Sequence, residues 1–245
     1  MSEGKPMPPL IILAGGKGTR LASVVEDRPK VLALIEGKPF LDYLLSWLES
    51  YGIRDVMMSL GVMSEQVVEY ISNRIVGPTN LSYCVEDQPL GTAGGVAHCL
   101  LHYLKGDELL SEVLIVNGDS WLSADVNALV KNARKSKENI TLCAVSVEDC
   151  GRYGSLEIEG DKLKAFNEKD INNAGIPGWI NAGIYYLKGR AIEELKNHKE
   201  GSIERDFFAQ QPKGAINVFK SDCDFIDIGT PESYRRAGEI IRMME

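Results

Sequence analysis

The first half of the chain alternates short apolar runs with amphipathic segments, and this alternation restricts the fold more than any other feature. The apolar runs have strand-like length and composition, at 10–14, 55–60, 81–86 and 112–119. Apolar residues at helical spacing predict helices at 40–52, 64–74 with Ser64 as N-cap, and about 93–104. Such alternation builds a mainly parallel sheet that is covered by helices on both faces.

The pattern changes after about Lys137, where strands follow one another with few helices between them. The predicted strands lie at 140–147, 154–169 and 179–187, and Gly160-Asp161 marks a hairpin turn within the second. Two short helices, a strand at 225–229 and a closing helix from Pro231 complete the chain. We therefore expect a Rossmann-like, three-layer α/β/α fold with a mixed, mainly parallel sheet and an antiparallel β insertion in its second half. Residues 1–245 are predicted to form one domain with halves at about 1–137 and 138–245.

Charge and hydropathy exclude several classes of protein. The formal net charge of -8 argues against nonspecific binding to nucleic acid, which requires a basic face. The longest apolar runs are too short to span a bilayer, and the N-terminal residues lack the long apolar stretch of a secretion signal. We expect a cytoplasmic protein without nucleic-acid or membrane partners. The sequence leaves the oligomeric state open, and a homo-oligomer is compatible with it.

A glycine-rich loop, LAGGKGTRL at 13–21, follows the first apolar run. It is not a P-loop, because Lys17 is followed by Gly18 instead of by Ser or Thr. It is not the dinucleotide-binding loop either, because Leu21 stands where that motif has its third glycine. A strand followed by closely spaced glycines and by a helix N-terminus would still bring backbone N–H groups close to a triphosphate. The predicted nucleotide-binding residues of this loop are Leu13, Ala14, Gly15, Gly16, Gly18, Thr19 and Arg20.

The loop and its continuation to Arg28-Pro29-Lys30 resemble the signature of the sugar-1-phosphate nucleotidyltransferases. Further segments match the same family in order: PLGTAGG at 89–95, VNGDS at 116–120, FNEK at 166–169 and FIDIGTPESY at 225–234. Within the family, the segments RYGSLEI, INAGIYYL and SIERDFF look most like the guanylyltransferases that act on D-glycero-D-manno-heptose 1-phosphate. The resemblance covers almost the whole chain and implies the nucleotide-diphospho-sugar transferase fold.

The resemblance implies that a sugar 1-phosphate attacks the α-phosphorus of a nucleoside triphosphate, with GTP favoured. A nucleotide sugar and pyrophosphate would form, and GDP-heptose would serve the synthesis of a bacterial surface polysaccharide. Both reactants are anionic, so the site must neutralise charge and align two phosphates. The phosphate nucleophile is already ionised, and no general base is needed. Mg²⁺ is the expected cofactor, since it prefers hard oxygen ligands.

The family motifs place roles on particular residues. Arg20, Lys30 and Asp119 are the predicted catalytic residues, because the two cations would hold the phosphates. Asp119 ends the most hydrophobic run, at the edge of the sheet where ligands bind in this class of fold. Asp119 and Asp227 are the predicted metal ligands. Predicted contacts to the nucleotide base lie at Glu86, Gly91 and Thr92, and predicted sugar-phosphate contacts lie at Gly154, Glu168, Lys169, Asn181 and Gly183.

Other functions stay open at this point. A close alternative transfers GMP, UMP, CMP or dTMP to mannose, glucose or another sugar phosphate. A second alternative is a regulatory protein that binds a sugar nucleotide without catalysis. Such a protein would be expected to have lost Arg20, Lys30, Asp119 or Asp227, and this chain keeps all four.

Overall fold

The computed structural model describes residues 5–16, 18, 20–21, 23–74, 77–103, 110–167 and 175–244. The strands are β1 (Leu10–Ala14), β2 (Leu34–Ile35), β3 (Lys38–Pro39), β4 (Asp55–Leu60), β5 (Asn80–Val85), β6 (Glu112–Asn117), β7 (Ser120–Leu122), β8 (Ile140–Val147), β9 (Leu156–Glu159), β10 (Lys162–Phe166), β11 (Gly178–Lys188), β12 (Ile216–Ser221) and β13 (Phe225–Asp227). The α-helices are α1 (Phe40–Ser50), α2 (Ser64–Asn73), α3 (Gly91–Tyr103), α4 (Val126–Lys135), α5 (Arg190–Leu195) and α6 (Pro231–Met244). Shorter helical turns lie at Lys30–Leu32, Ile203–Phe207 and Phe208–Gln210.

One central sheet runs through both halves of the chain. Among the described residues it has nine strands in the order β5-β4-β1-β6-β11-β8-β12-β10-β9. The strands of the first half, β5, β4, β1 and β6, are parallel to one another. β11 enters beside β6 in the antiparallel direction and continues the sheet to β8. The predicted fold class, a mainly parallel sheet with an antiparallel insertion, is confirmed.

Alternate side chains along the central strands feed two separate cores. Leu10 and Ile12 of β1 point into the core that α1, α4 and α6 cover. Ile11, between them, points to the opposite face, where α3, α5 and the turns at 203–210 supply the packing. Both faces of the sheet are therefore buried, as the two-residue period of a strand requires. This arrangement gives the three layers expected from the sequence.

A small second sheet brings two distant segments together. β7 and β13 pair in the antiparallel direction, and the register places Asp227 opposite Ser120. The Ile228 amide also donates to the carbonyl oxygen of Asp119 over 2.9 Å. This pairing joins the end of β6 to the start of α6 across about half of the chain.

Several local predictions were wrong. The sequence analysis missed β12, because apolar and polar residues do not alternate regularly along INVFKS. In the structure it pairs with β8 as a parallel strand of the central sheet. β7 was also missed, and β6 ends at Asn117, so that Asp119 lies in a turn instead of at a strand end. Ser64 is the first residue of α2, and Met63, in a left-handed conformation with φ 59°, takes the N-cap position.

The segment after the glycine-rich loop is also different from the prediction. The described residues between Arg20 and Val25 form successive turns, with amide-to-carbonyl bonds from Leu21 to Gly18 and from Val24 to Leu21. No regular α-helix begins in that described part, and the expected helix N-terminus behind the loop is not formed there. In the described part of this segment, therefore, no α-helix N-terminus adds a positive dipole to the loop. Separately, none of the described helices is long and apolar enough to cross a membrane.

Candidate active site

A cavity of about 270 Å³ opens beyond the carboxyl ends of the parallel strands β1, β4 and β6. This is the position where open α/β sheets bind their ligands. The residues that line it come from the glycine-rich loop, the Lys30 turn, the β5–α3 connection and the end of β6. They are Leu13, Ala14, Gly15, Gly16, Lys30, Val31, Ser59, Glu86, Pro89, Gly91, Thr92, Asn117, Gly118 and Asp119. Most of the predicted nucleotide-binding residues are therefore brought together here.

The glycine-rich loop passes close to the backbone of Gly61 and to the carboxylate of Glu86. A Cβ at Gly15 would lie 3.2 Å from Glu86 Oε1 and 3.4 Å from the Gly61 amide nitrogen. Gly18 has φ +60°, a conformation that glycine adopts at little cost. Arg20 is exposed and lies outside the cavity lining, and it forms no ion pair with any acidic residue that the structure describes. Lys17 and Thr19 lie outside the described residues.

Lys30 and Asp119 form an ion pair at the cavity wall. Lys30 Nζ lies 2.9 Å from Asp119 Oδ2, and the side chains are 19% and 33% exposed, respectively. Lys30 opens the turn Lys30–Leu32, whose other two residues, Val31 and Leu32, are buried. These apolar anchors fix the backbone of the turn and leave the lysine side chain free to reach toward the end of β6. Two of the three predicted catalytic residues, Lys30 and Asp119, therefore line the same cavity, whereas Arg20 does not.

The second predicted metal ligand, Asp227, is held next to this pair. The β7–β13 pairing and the Ile228-to-Asp119 bond place it on the neighbouring strand. Its Oδ1 accepts hydrogen bonds from Ser233 Oγ at 2.8 Å and from the Gly229 amide at 3.2 Å. These bonds fix the orientation of the carboxylate. The structure thus places Asp227, at the end of β13, beside the turn that holds Asp119.

These two carboxylates suit a hard divalent cation that keeps part of its coordination shell for other ligands. Mg²⁺ is usually bound through one or two protein carboxylates together with substrate phosphates and water. Among the described residues no group of three or more His, Cys, Asp or Glu could form a complete protein cage. The donor set therefore fits a cation shared with a phosphate ligand better than a closed structural site.

The predicted base-contact segment is packed against its surroundings. Glu86 accepts from Ser59 Oγ at 3.1 Å and from the Leu90 amide at 3.0 Å, so that its carboxylate fixes the loop before α3. Gly91 has φ +71°, and a Cβ there would collide with the carbonyl oxygen of Gly201. Thr92 Oγ1 accepts from the Ile203 amide at 2.8 Å and so joins the start of α3 to the turn at 203–207.

The predicted sugar-phosphate residues are only partly described. Glu168 and Lys169 lie outside the described residues. Gly154, Asn181 and Gly183 are described, but none of them belongs to the cavity lining given above. Gly183 has φ +74°, and a Cβ there would lie 2.7 Å from Asn117 Nδ2. Its structural role is to make room for the Asn117 amide, and its role toward a sugar stays a prediction.

A hydrogen-bond network behind the cavity was missed by the sequence analysis. Asn181 Nδ2 donates to the Tyr185 hydroxyl at 2.7 Å, and that hydroxyl donates to Glu204 Oε1 at 2.7 Å. Glu204 Oε2 in turn accepts from Ser202 Oγ at 2.9 Å. In the sequence, the segment SIERDFF is marked only by its resemblance to the family. Nothing local in the sequence indicates that Glu204 reaches β11.

Comparison with known proteins assigns the chain to a family of enzymes that transfer nucleotides. The family model described as nucleotidyl transferase matches residues 10–243. The chain is 35% identical over 229 residues to the D-glycero-alpha-D-manno-heptose 1-phosphate guanylyltransferase of Aneurinibacillus thermoaerophilus, covering 93% of this chain and 95% of that one. It is 33% identical over 225 residues to the enzyme of the same name from Campylobacter jejuni, covering 91% and 96%.

A solved structure shares the fold over nearly the same extent. The crystal structure of HddC from Yersinia pseudotuberculosis complexed with GMP-PN matches with a TM-score of 0.82 at 32% identity. The match covers 95% of this chain and 99% of that chain. The sheet order and the flanking helices described above are therefore those of a nucleotidyltransferase fold.

Proposed function

The chain belongs to the nucleotidyl transferase family, and we propose that it transfers GMP from GTP to D-glycero-alpha-D-manno-heptose 1-phosphate. The products are GDP-heptose and pyrophosphate. The two relatives that carry this activity in their names are matched over more than nine-tenths of both chains. The same site would also serve the related reactions that use another nucleoside triphosphate or another sugar 1-phosphate.

One structural observation carries the proposal: Lys30 and Asp119 meet in the wall of one cavity, and the backbone of Asp227 pairs with the segment that follows Asp119. Lys30 is paired with Asp119, and the β7–β13 sheet holds Asp227 beside them. A cation next to two carboxylates is the arrangement that a triphosphate and its counterion require. A regulatory protein that binds a sugar nucleotide without catalysis would be expected to have lost one of these residues, and this chain keeps them.

Charge neutralisation and alignment are the main tasks of the chain's own residues in this reaction. Lys30 exchanges its contact with Asp119 for a phosphate oxygen when the triphosphate binds. Gly15 and Gly16 offer backbone N–H groups to the same phosphates, since both residues line the cavity. The sugar phosphate oxygen attacks the α-phosphorus in line with the departing pyrophosphate. Charge stabilisation and alignment of this kind account for most of the catalysis of phosphoryl-type transfers.

Asp119 and Asp227 would hold Mg²⁺ in this proposal. The ion would neutralise charge on the phosphates of the bound triphosphate when it is present. The hydrogen bonds from Ser233 and Gly229 to Asp227 Oδ1 hold that carboxylate in one orientation, as hydrogen bonds to metal ligands commonly do.

Glu86 supports the choice of guanine. Its carboxylate lies in the cavity wall and accepts one hydrogen bond on each oxygen from the protein. An ionised carboxylate has further lone pairs for two donors. The guanine Watson–Crick edge presents such donors at N1 and at the exocyclic amine, whereas adenine presents only its amine next to an acceptor. We assign Glu86 to the guanine edge.

The proposal is tested by measuring pyrophosphate release with a panel of nucleoside triphosphates crossed with sugar 1-phosphates, the heptose included. The expected result is a kcat/KM for GTP with the heptose phosphate that exceeds every other pair. A higher value for another pair would replace the substrate assignment. The absence of release with all pairs would contradict catalysis itself.

A further inference from the structure

Ser59 is a buried polar residue behind the carboxylate of Glu86. It lies near the end of β4, only 1% of its surface is exposed, and its Oγ donates to Glu86 Oε1 over 3.1 Å. Strand β4 carries no other polar side chain between Val56 and Leu60. A buried hydroxyl in an apolar strand is costly unless it is hydrogen-bonded. Here its partner is the carboxylate that we assign to the guanine edge.

Both oxygens of the Glu86 carboxylate are held by the protein, each from a different part of the fold. Ser59 of β4 donates to Oε1, and the Leu90 amide, just before α3, donates to Oε2 over 3.0 Å. An ionised carboxylate accepts at about four lone-pair positions, so each oxygen keeps room for one more donor. The two protein bonds therefore fix the plane of the carboxylate and leave acceptor positions for a ligand in the cavity.

Two glycines make the space around this carboxylate. A Cβ at Gly95, in α3, would lie 2.6 Å from both Glu86 Oε1 and Ser59 Oγ. A Cβ at Gly15, in the glycine-rich loop, would lie 3.2 Å from Glu86 Oε1. Glycine is the residue that permits such a close approach of backbone to a polar group. The absence of a side chain at Gly95 is therefore what allows the bond between Ser59 and Glu86 to form in this geometry.

The hydroxyl group of Ser59 is oriented from behind by a thiol. Cys99 of α3 is completely buried, and its thiol lies within hydrogen-bonding range of Ser59. A hydrogen bond with Cys84 and burial raise the pKa of the Cys99 thiol, so that it stays protonated. Ser59 has one hydroxyl proton to donate, and its oxygen can accept from a neutral thiol. With a neutral thiol on one side and a charged acceptor on the other, the Ser59 proton is directed to Glu86.

We propose that Ser59 is a positioning residue for base selection: it holds the Glu86 carboxylate in the orientation that accepts from both N1 and the exocyclic amine of guanine. The inference rests on the proposed function, because it needs the guanine assignment of Glu86. Guanine presents two parallel donors on this edge, and a carboxylate meets both at once only when its plane is fixed. Ser59 acts through Glu86 and does not itself touch the nucleotide.

The exocyclic amine of guanine is the group whose recognition depends most on this orientation. Hypoxanthine, the base of ITP, has the same N1 donor and the same carbonyl group as guanine but lacks the amine. A carboxylate that is free to rotate still accepts from N1, but it loses its alignment with the second donor. The ratio of GTP affinity to ITP affinity therefore reports the orientation of Glu86 separately from the overall binding of a purine nucleotide.

The experiment measures Kd for GTP and for ITP by calorimetry, and kcat/KM for both with heptose 1-phosphate, in wild type and in Ser59→Ala. Wild type is expected to bind GTP about 10-fold or more tightly than ITP, the scale of one hydrogen bond to a charged group. In Ser59→Ala this ratio should fall about fivefold, the scale of one neutral hydrogen bond, through weaker binding of GTP. Ser59→Thr keeps the hydroxyl group and should restore most of the ratio. Ser82→Ala is the matched control and should behave as wild type, because it removes a serine hydroxyl of the adjacent strand β5 that donates to the Val56 carbonyl.

A double-mutant cycle shows whether Ser59 acts through Glu86. Ser59→Ala combined with Glu86→Gln should give the same ratio of GTP to ITP affinity as Glu86→Gln alone, because the group that Ser59 positions is already altered. Two effects on the ratio that simply multiply would show that Ser59 acts independently of Glu86, and they would overturn the inference.

The remaining outcomes separate this inference from the proposed function. An equal weakening of GTP and ITP binding in Ser59→Ala, or no change in either, would overturn the inference in favour of a purely structural role. A wild-type ratio of one would overturn it as well, whereas product formation from GTP would still support the proposed reaction. If wild type binds GTP but turns over no substrate pair, the proposed function fails, and the two Kd values still test Ser59.

Discussion

Lys30 Nζ lies 2.9 Å from Asp119 Oδ2, although the two residues are 89 positions apart in the sequence. The turn that begins with Lys30 is anchored by two buried apolar residues, and Asp119 follows the central strand β6. The ion pair therefore joins two rigid parts of the first half at the cavity wall. In the proposed reaction this lysine moves to a phosphate oxygen, and the carboxylate is freed for a cation.

Replacing either carboxylate should abolish most of the activity. Asp119→Asn and Asp227→Asn keep the side-chain shape but remove the negative charge. We expect kcat/KM to fall by about 10²-fold or more, the scale of losing one preorganised charge-stabilising group. Steady-state kinetics at several Mg²⁺ concentrations provides the measurement. Asp222→Asn, on the exposed loop before β13, is the control and should retain wild-type activity. Full activity of both variants would refute the metal-ligand assignment.

Lys30→Met should impair catalysis far more than stability. Its partly exposed ion pair with Asp119 contributes at most about 1 kcal/mol to folding. Loss of a charged hydrogen bond to phosphate should lower kcat/KM by about 10- to 100-fold. Lys30→Arg should recover part of the loss, because it restores the charge with a different geometry. A normal kcat/KM in Lys30→Met, or a melting temperature that falls in parallel with activity, would contradict the phosphate role.

Glu86→Gln should reduce the preference for GTP over ATP. The substitution removes the charge that the guanine donors would meet, and the new amide presents a donor of its own toward them. A loss of about 10-fold or more in the GTP to ATP ratio of kcat/KM is expected for a hydrogen bond to a charged group. The melting temperature must be checked as well, since Glu86 also holds Ser59 and the Leu90 amide. An unchanged ratio in a folded variant would remove Glu86 from base recognition.

Gly91→Ala should detach the segment around Gly201 from the N-terminus of α3. The Gly91 position combines a φ of +71° with contact to the carbonyl of Gly201, which also accepts from the Ala93 amide at 2.8 Å. Gly214 has a similar φ of +80° but no neighbouring atom within 4 Å. Gly214→Ala should therefore cost only the backbone strain of about 1–2 kcal/mol, and Gly91→Ala should cost clearly more. Chemical denaturation compares them, and equal costs would contradict the packing argument.

Glu112 should make the protein sensitive to acid. It accepts two hydrogen bonds from Arg134, at 2.7 and 3.0 Å, another from Tyr186, and it pairs with Lys5 at 2.9 Å. Burial alone would raise the pKa of Glu112, but these partners outweigh it and lower the pKa to about 2.

A lowered pKa in the folded state means that the ionised carboxylate stabilises the fold. This contribution is complete above the ordinary value of 4.5 and is lost as the pH falls toward about 2. Glu112→Gln should lower the free energy of unfolding at pH 7 by about 3 kcal/mol, as for breaking a buried pair, and should show a smaller further loss on acidification. The exposed Glu193→Gln is the control. If the free energy of unfolding depended on pH in the same way in wild type and in Glu112→Gln, Glu112 would not have the lowered pKa described here.

The parts of the fold that could be predicted from sequence are those whose signal is local. The apolar runs of β1, β4, β5 and β6 lie on both sides of long helical patterns, and periodicity identifies them. β12 was missed because its residues pair with β8 far away in sequence and do not alternate strongly. The turn that replaces the expected helix after the glycine-rich loop depends on tertiary context in the same way.

In the candidate site, too, residues in local motifs could be predicted, and residues brought together by tertiary contacts could not. Lys30, Asp119 and Asp227 stand in motifs that can be read along the chain, and the structure brings them together. Glu204 and Tyr185 meet only because the turn at 203–207 folds back over β11.

The most direct test of the account follows the phosphorus atoms. The protein is incubated with Mg²⁺, heptose 1-phosphate and GTP that is labelled at either the α- or the γ-phosphate, and the products are separated. We predict that the α-label is found in GDP-heptose and the γ-label in pyrophosphate, in equal amounts, and that Asp119→Asn forms neither product. Transfer of the γ-label to the sugar phosphate, or release of both labels without a nucleotide sugar, would contradict nucleotidyl transfer.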